Sequence, residues 1–161
     1  MRGEVELTEP IDPDIDLRVP AQRRELYRSH GAVLAVIALG GGLGAVARYQ
    51  LGTLWPTQPG AFPWATFAVN TLGCLLIGVL MVLISEVWSA HRLARPFLGV
   101  GVLGGFTTFS TYAAETRNLL QPGTVAIAFG YLAGTLLTAL LAVVAGVWLT
   151  RAATRRSERR A

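Results

Sequence analysis

Lysine is absent from this 161-residue chain, cysteine occurs once, and charged residues make up only 15% of it. Each shortage excludes something. A soluble domain carries about 25% charged residues, so the chain is too poor in solvating groups for a soluble globular enzyme or a disordered polymer. One cysteine forms no internal disulfide, which excludes a disulfide scaffold and leaves the redox compartment unreadable. That residue, Cys74, lies in an apolar run, where a thiol behaves as a small hydrophobe. The two histidines, His30 and His91, are far apart and near segment ends, so they form no metal-ligand spacing.

What is present is apolar. Hydrophobic residues are 52% of the chain and mean hydropathy is +0.47. Four stretches carry no charge: 17 residues between His30 and Arg48, 37 between Arg48 and Glu86, 19 between Arg95 and Glu115, and 33 between Arg117 and Arg151. A bilayer core takes about 20 apolar residues per helix. The pattern therefore predicts a small all-α integral membrane protein with four transmembrane helices. All 14 basic residues are arginine, and they flank the apolar runs. Despite a pI of about 10.0 they form no patch for nucleic acid, and read as topology signals and lipid-headgroup contacts.

Three regions follow. Over residues 1–30 an acidic stretch reaching Asp16 and broken by Pro10 and Pro13 is expected to be disordered, with Arg18, Arg23, Arg24 and Arg28 behind it. Its length and mixed charge argue against a signal peptide. Residues 31–150 hold the helices: Gly31 to Leu54, Pro63 to Trp88, Pro96 to Leu120, and Thr124 to Thr150. Trp55-Pro56 and Pro122-Gly123 mark turns. Residues 151–161 form a basic tail. Both termini are expected in the cytoplasm, because the arginines preceding helix one, Arg92, Arg95 and the tail arginines fall on one side, and only Arg48 and Arg117 on the other.

The third segment is unusual. Gly99, Gly101, Gly104 and Gly105 precede Thr107, Thr108, Phe109, Ser110 and Thr111, a poor membrane helix on propensity. One reading is a continuous helix whose glycines permit close packing. The favoured one is a helix broken mid-membrane, whose freed carbonyls can coordinate a cation. Gly40-Gly41-Gly42-Leu43-Gly44 lacks the strand and lysine of a phosphate loop. Gly40 and Gly44, like Gly130 and Gly134, form small-residue faces for helix packing.

Polar residues inside the apolar runs are the candidates for function. Two readings fit Arg48: a side chain snorkelling to the interface, or an anion-attracting group at the mouth of a pore. Thr66 and Asn70 on helix two, and Tyr131 and Thr135 on helix four, repeat an i, i+4 spacing that faces inward. Glu86 and Glu115 lie near segment ends, where a solvated interfacial carboxylate is the default. No nucleophile, base and orienter converge, so an enzyme is not expected. The interior groups are mostly neutral donors, suited to replacing the hydration of a small anion.

Three stretches carry a resemblance: Gly40 to Tyr49 (GGGLGAVARY), Thr66 to Gly73 (TFAVNTLG) and Gly104 to Thr111 (GGFTTFST). In this order and spacing they resemble the Fluc/CrcB fluoride channel family over about Val33 to Thr150. The resemblance implies an antiparallel dimer of four-helix subunits with two pores for fluoride ion and no enzymatic step. It also implies a structural, untransported Na+ held by the backbone carbonyls of Gly104 and Thr107 from both subunits. The pore asparagine falls on Asn70, the vestibule arginine on Arg48 and the motif glutamate on Glu115. The first ring of the aromatic box falls on Phe109 and the pore tyrosine on Tyr131. Ser110, Thr66 and Thr135 join them as pore residues. The chain departs from the family at Tyr112, where the second box ring gains a hydroxyl, and at Ala113 and Ala139, where serines are lost.

A small multidrug transporter is another short four-helix protein, but it relies on an acid in its first helix, where this chain has Arg48. A non-conducting or one-pore partner subunit stays open because of Tyr112. The one-sided arginines favour a second subunit of opposite orientation over pairing with a second copy.

Overall fold

The computed structural model describes residues 31–88 and 92–158. The acidic stretch over 1–30, His30, His91 and residues 159–161 of the basic tail lie outside the described residues. From Val33 onward the chain is one packing unit. All four apolar runs are helical, and among the described residues there is no strand.

Helix α1 spans Gly31–Leu54 and α2 spans Trp64–Val82, the latter running on through a π-helical turn, Leu83–Val87. The third run is in two pieces. Its first, α3, is π-helical over Pro96–Leu103 and closes with one α-helical turn, Gly104–Phe106; its second, α4, spans Ser110–Leu119. Helix α5 spans Val125–Glu158. Four helices are long and apolar enough to cross a membrane: Gly31–Leu54, Trp64–Val87, Pro96–Leu119 and Val125–Arg156. Their apolar side chains point outward as well as inward. Leu39, Leu43 and Val46 on α1 and Leu140, Leu141, Val144 and Trp148 on α5 are exposed, the surface of a protein solvated by lipid.

Two glycine crossings set the packing. At the first, α1 lies against α3: a Cβ on Gly44 would strike the Val102 carbonyl and sit 2.7 Å from the Phe106 nitrogen, and Gly101 and Gly105 return the contact onto Gly40 and Gly41. At the second, α2 crosses α5, with Gly78 against Val143 and Gly146 against Leu75. Small residues are needed where backbones touch. The face expected at Gly130 and Gly134 is different: Gly130 has nothing within 4 Å and Gly134 only the Phe67 ring edge at 4.0 Å. Within one chain these two do not pack helices, because α2 reaches α5 closest a few turns later.

Helix α5 continues past the expected boundary at Thr150. Arginine and alanine are good helix formers, and Arg151 is held by Glu86 (Nη2 to Oε1 2.6 Å, Nε to Oε1 2.9 Å). Its 34 residues span about 51 Å, beyond a hydrocarbon core of about 30 Å.

Gly44→Ala is expected to lower thermal stability in detergent by several degrees, because a backbone contact must open. Gly130→Ala is expected to be neutral or mildly stabilising, as alanine favours helix. Thermal unfolding of both variants checks this. An equal loss at Gly130 would mean that another chain packs there.

Candidate functional site

The third run breaks where its peptide groups find side chains instead of their own helix. Thr107 turns extended (ψ 157°), and the Thr108 N–H donates to Asn70 Oδ1 at 2.8 Å rather than back along the helix. Asn70 Nδ2 donates to the Thr108 carbonyl at 3.0 Å. One amide side chain thus pairs with both sides of one residue, as a neighbouring strand would. Thr107 Oγ1 donates to the Leu103 carbonyl at 2.9 Å. Arg48 Nε donates to the Gly105 carbonyl at 3.2 Å. Thr108 Oγ1 accepts the Thr111 N–H at 3.1 Å and orders the start of α4.

Glu115 is the second centre. It is half-buried, and it accepts from Thr66 Oγ1 at 2.9 Å on Oε1 and from the Tyr131 hydroxyl at 2.7 Å on Oε2. This corrects the default reading of Glu115 as a freely solvated carboxylate. Its place near the end of the Pro96–Leu119 run hides the fact that α4 turns it onto α2 and α5. Glu86 keeps that default: it is exposed and, among the described residues, is paired with Arg151.

Two cavities meet at Thr108. One of about 280 Å³ is lined by Arg48, Tyr49, Thr66, Thr111 and Glu115 among others. The other, about 310 Å³, is lined by Asn70, Cys74, Phe109, Tyr112, Thr135 and Ala139 among others. Arg48 and Glu115 face one cavity without an ion pair between them, each committed to other partners. In the second cavity Thr135 is 5% exposed, and its Oγ1 has no hydrogen-bond partner. Asn70 retains one Nδ2 proton beyond its bond to Thr108.

Aromatic rings line the far side. Phe109 and Tyr112 lie 6.0 Å apart at 55°, and Tyr112 meets Tyr131 edge-on at 5.1 Å. Tyr131 is fully buried, whereas Phe109 is 79% exposed. The added hydroxyl at Tyr112 does not point into the cavity. It donates to the Leu132 carbonyl at 2.7 Å.

Of the expected pore residues, Asn70, Phe109, Tyr112 and Thr135 line one cavity, Thr66 lines the adjoining one with Arg48 and Glu115, and the buried Tyr131 lines neither but touches both groups through Tyr112 and Glu115. Ser110 stands apart, exposed and within 3.3 Å of Thr108 Oγ1. Gly104 is exposed and Thr107 half-buried, at the outer side of the break. Sequence reasoning missed Cys74 as a cavity residue, although it lies one turn from Asn70 on α2, and missed the carbonyls of Gly105 and Leu132, which no side-chain pattern reveals. Among the described residues no three His, Cys, Asp or Glu side chains cluster.

A family model described as "CrcB-like protein, Camphor Resistance (CrcB)" matches residues 35–147. The chain is 62% identical over 128 residues to Fluoride-specific ion channel FluC 2 of Nocardia farcinica, covering 77% of this chain and 91% of that protein. It is 57% identical over 125 residues to Fluoride-specific ion channel FluC 2 of Streptomyces avermitilis, covering 78% and 79%. It is also 46% identical over 132 residues to FluC 3 of the same organism, covering 82% and 65%.

Asn70→Ala is expected to destabilise the protein by about 2 kcal/mol or more, because it strands two peptide groups of Thr108. Tyr112→Phe is expected to cost about 1 kcal/mol or less, since Leu132 remains within the ladder of α5. Thermal unfolding in detergent ranks the two. A reversed order would mean that the Asn70 pairing does not hold the break.

Proposed function

The chain belongs to the CrcB-like family, and on that premise we propose that it is a fluoride-specific ion channel that lowers cytoplasmic fluoride by passive efflux. The carrying observation is the cavity beside Phe109, lined by Asn70, which keeps a second Nδ2 proton beyond its bond to Thr108, and by Thr135, whose unpartnered hydroxyl is buried behind that wall. A small anion needs its hydration replaced, and neutral donors do this without binding it too tightly to leave. The ring edge of Phe109 is electropositive and adds to them. Arg48 draws anions into the adjoining cavity, and Thr66, Glu115 and Tyr131 form a bonded wall between α2, α4 and α5. The acid HF enters cells neutral and ionises inside, so a passive anion path suffices to release it.

In this reading the interruption at Thr107–Phe109 lies at membrane depth, and a second subunit in antiparallel orientation covers the exposed Phe109 and Gly104. The arginine asymmetry favours a homologue of opposite orientation as that subunit. The two separately numbered relatives in Streptomyces avermitilis support this. Na+ would be held by the carbonyls of Gly104 and Thr107. The fit is good in two respects: the donors are hard oxygens, and the Thr108 N–H goes to Asn70, which spares the Gly104 carbonyl that bond. Its chemistry would be purely structural, drawing two strands of backbone together. A one-pore or non-conducting partner is the second reading. It is favoured by Ala139, which lines the same cavity and interrupts the row of hydroxyls begun by Tyr131 and Thr135.

Liposomes carrying the protein, with its homologue where one exists, are expected to release fluoride to an electrode without releasing chloride. Phe109→Ile is expected to reduce that flux at least tenfold while leaving assembly unchanged. Silent liposomes, or an inert Phe109→Ile, would overturn the channel or the pore assignment respectively.

Topology is tested separately. Cysteines at Gln58 and Ser89, in a Cys74→Ala background, are expected to be labelled in intact cells only at Gln58. Equal labelling of both from outside would restore a pair of identical chains.

A further inference from the structure

Among the described residues, half of the ring contacts converge on one loop residue that the proposed pathway does not use. Phe62 lies 4.5 Å from Trp64, 5.4 Å from Phe67 and 5.2 Å from Tyr131, the last at 80°. It also packs on the buried cluster of Leu119, Ala128 and Tyr131. The loop that carries it is pinned on both sides. Ala61 N–H donates to the Gln58 carbonyl at 3.0 Å, and Trp64 N–H donates to the Phe62 carbonyl at 2.9 Å. Gly60 adopts φ +77°, and a Cβ there would lie 3.3 Å from Thr124 Cγ2, so the loop is seated on the turn before α5. Pro63 is fully buried and restricts the backbone beside Phe62.

Tyr131 needs such a support. A helical tyrosine has two accessible χ1 rotamers, and in the observed one the fully buried Tyr131 donates its hydroxyl to Glu115 at 2.7 Å. The Tyr131 ring makes two edge-to-face contacts, with Phe62 at 5.2 Å and with Tyr112 at 5.1 Å, so two aromatic neighbours limit its reorientation. We infer that Phe62 is a positioning residue: its ring holds Tyr131 in the rotamer that bonds Glu115, and through Tyr131 it orders the wall of the pathway. The inference rests on the proposed reading of Tyr131 as a pathway residue.

The test uses the full chain with 3-fluorotyrosine incorporated, its Tyr131 fluorine resonance assigned by loss in Tyr131→Phe. Phe62→Leu is expected to shift or split that resonance and to reduce fluoride flux per incorporated protein about fivefold, on the order of one lost edge-to-face contact. Phe62→Tyr, which keeps a ring, is expected to restore both. Phe62→Met gives the same readout should Phe62→Leu not yield folded protein. In the double variant Phe62→Leu/Tyr131→Phe the flux losses are expected not to add. An unmoved Tyr131 resonance, or fully additive losses, would overturn the positioning role. Absence of fluoride flux in the parent chain would overturn the channel reading alone, with the resonance still deciding whether Phe62 holds Tyr131.

Discussion

A peptide group released from a helix and turned into the protein must find a new hydrogen-bond partner there. Here the released groups are those of Thr108, and the side chain of Asn70 takes both. Much else is arranged around that exchange. Arg48 occupies the Gly105 carbonyl, and Thr107 Oγ1 adds to Leu103. The glycines of α1 let the third run come close enough for these bonds to form. A larger residue at Gly44 would meet the backbone of Val102, Gly105 and Phe106, just ahead of the break.

The same economy of partners governs the charges. Arg48 and Glu115 face one cavity, yet no ion pair joins them: Arg48 donates Nε to a carbonyl, and Glu115 accepts from two hydroxyls. A cavity walled by committed charges and a neighbouring one holding uncommitted neutral donors differ in electrostatic character, although they share Thr108. That contrast, rather than any single group, underlies the proposed preference for a small anion.

Much of this was legible in the residue order. The uncharged runs predict helix positions, and α1 follows its predicted bounds. The i, i+4 pairs Thr66/Asn70 and Tyr131/Thr135 are all buried, as an inward polar stripe requires. Other features were not legible. Glu115 looks like an interfacial carboxylate because its solvation depends on which helices α4 meets. Gly130 and Gly134 look like a packing face because spacing alone does not say where two helices cross. The end of α5 looks like a tail because arginines suggest solvent, whereas Glu86, 65 residues away, helps to hold the helix intact.

The sequence by itself determined that the chain is a four-helix membrane protein, which polar residues lie within its apolar runs, and that its third run is a poor continuous helix. These follow from composition and period, which are local. Tertiary structure decided what each polar group is bonded to: Asn70 to Thr108 rather than to a helix, Tyr112 to Leu132 rather than to the cavity, and Glu115 to Thr66 and Tyr131. Those choices belong to distance and direction between segments, and a hydrogen bond, unlike a hydrophobic pattern, exists only when both are met.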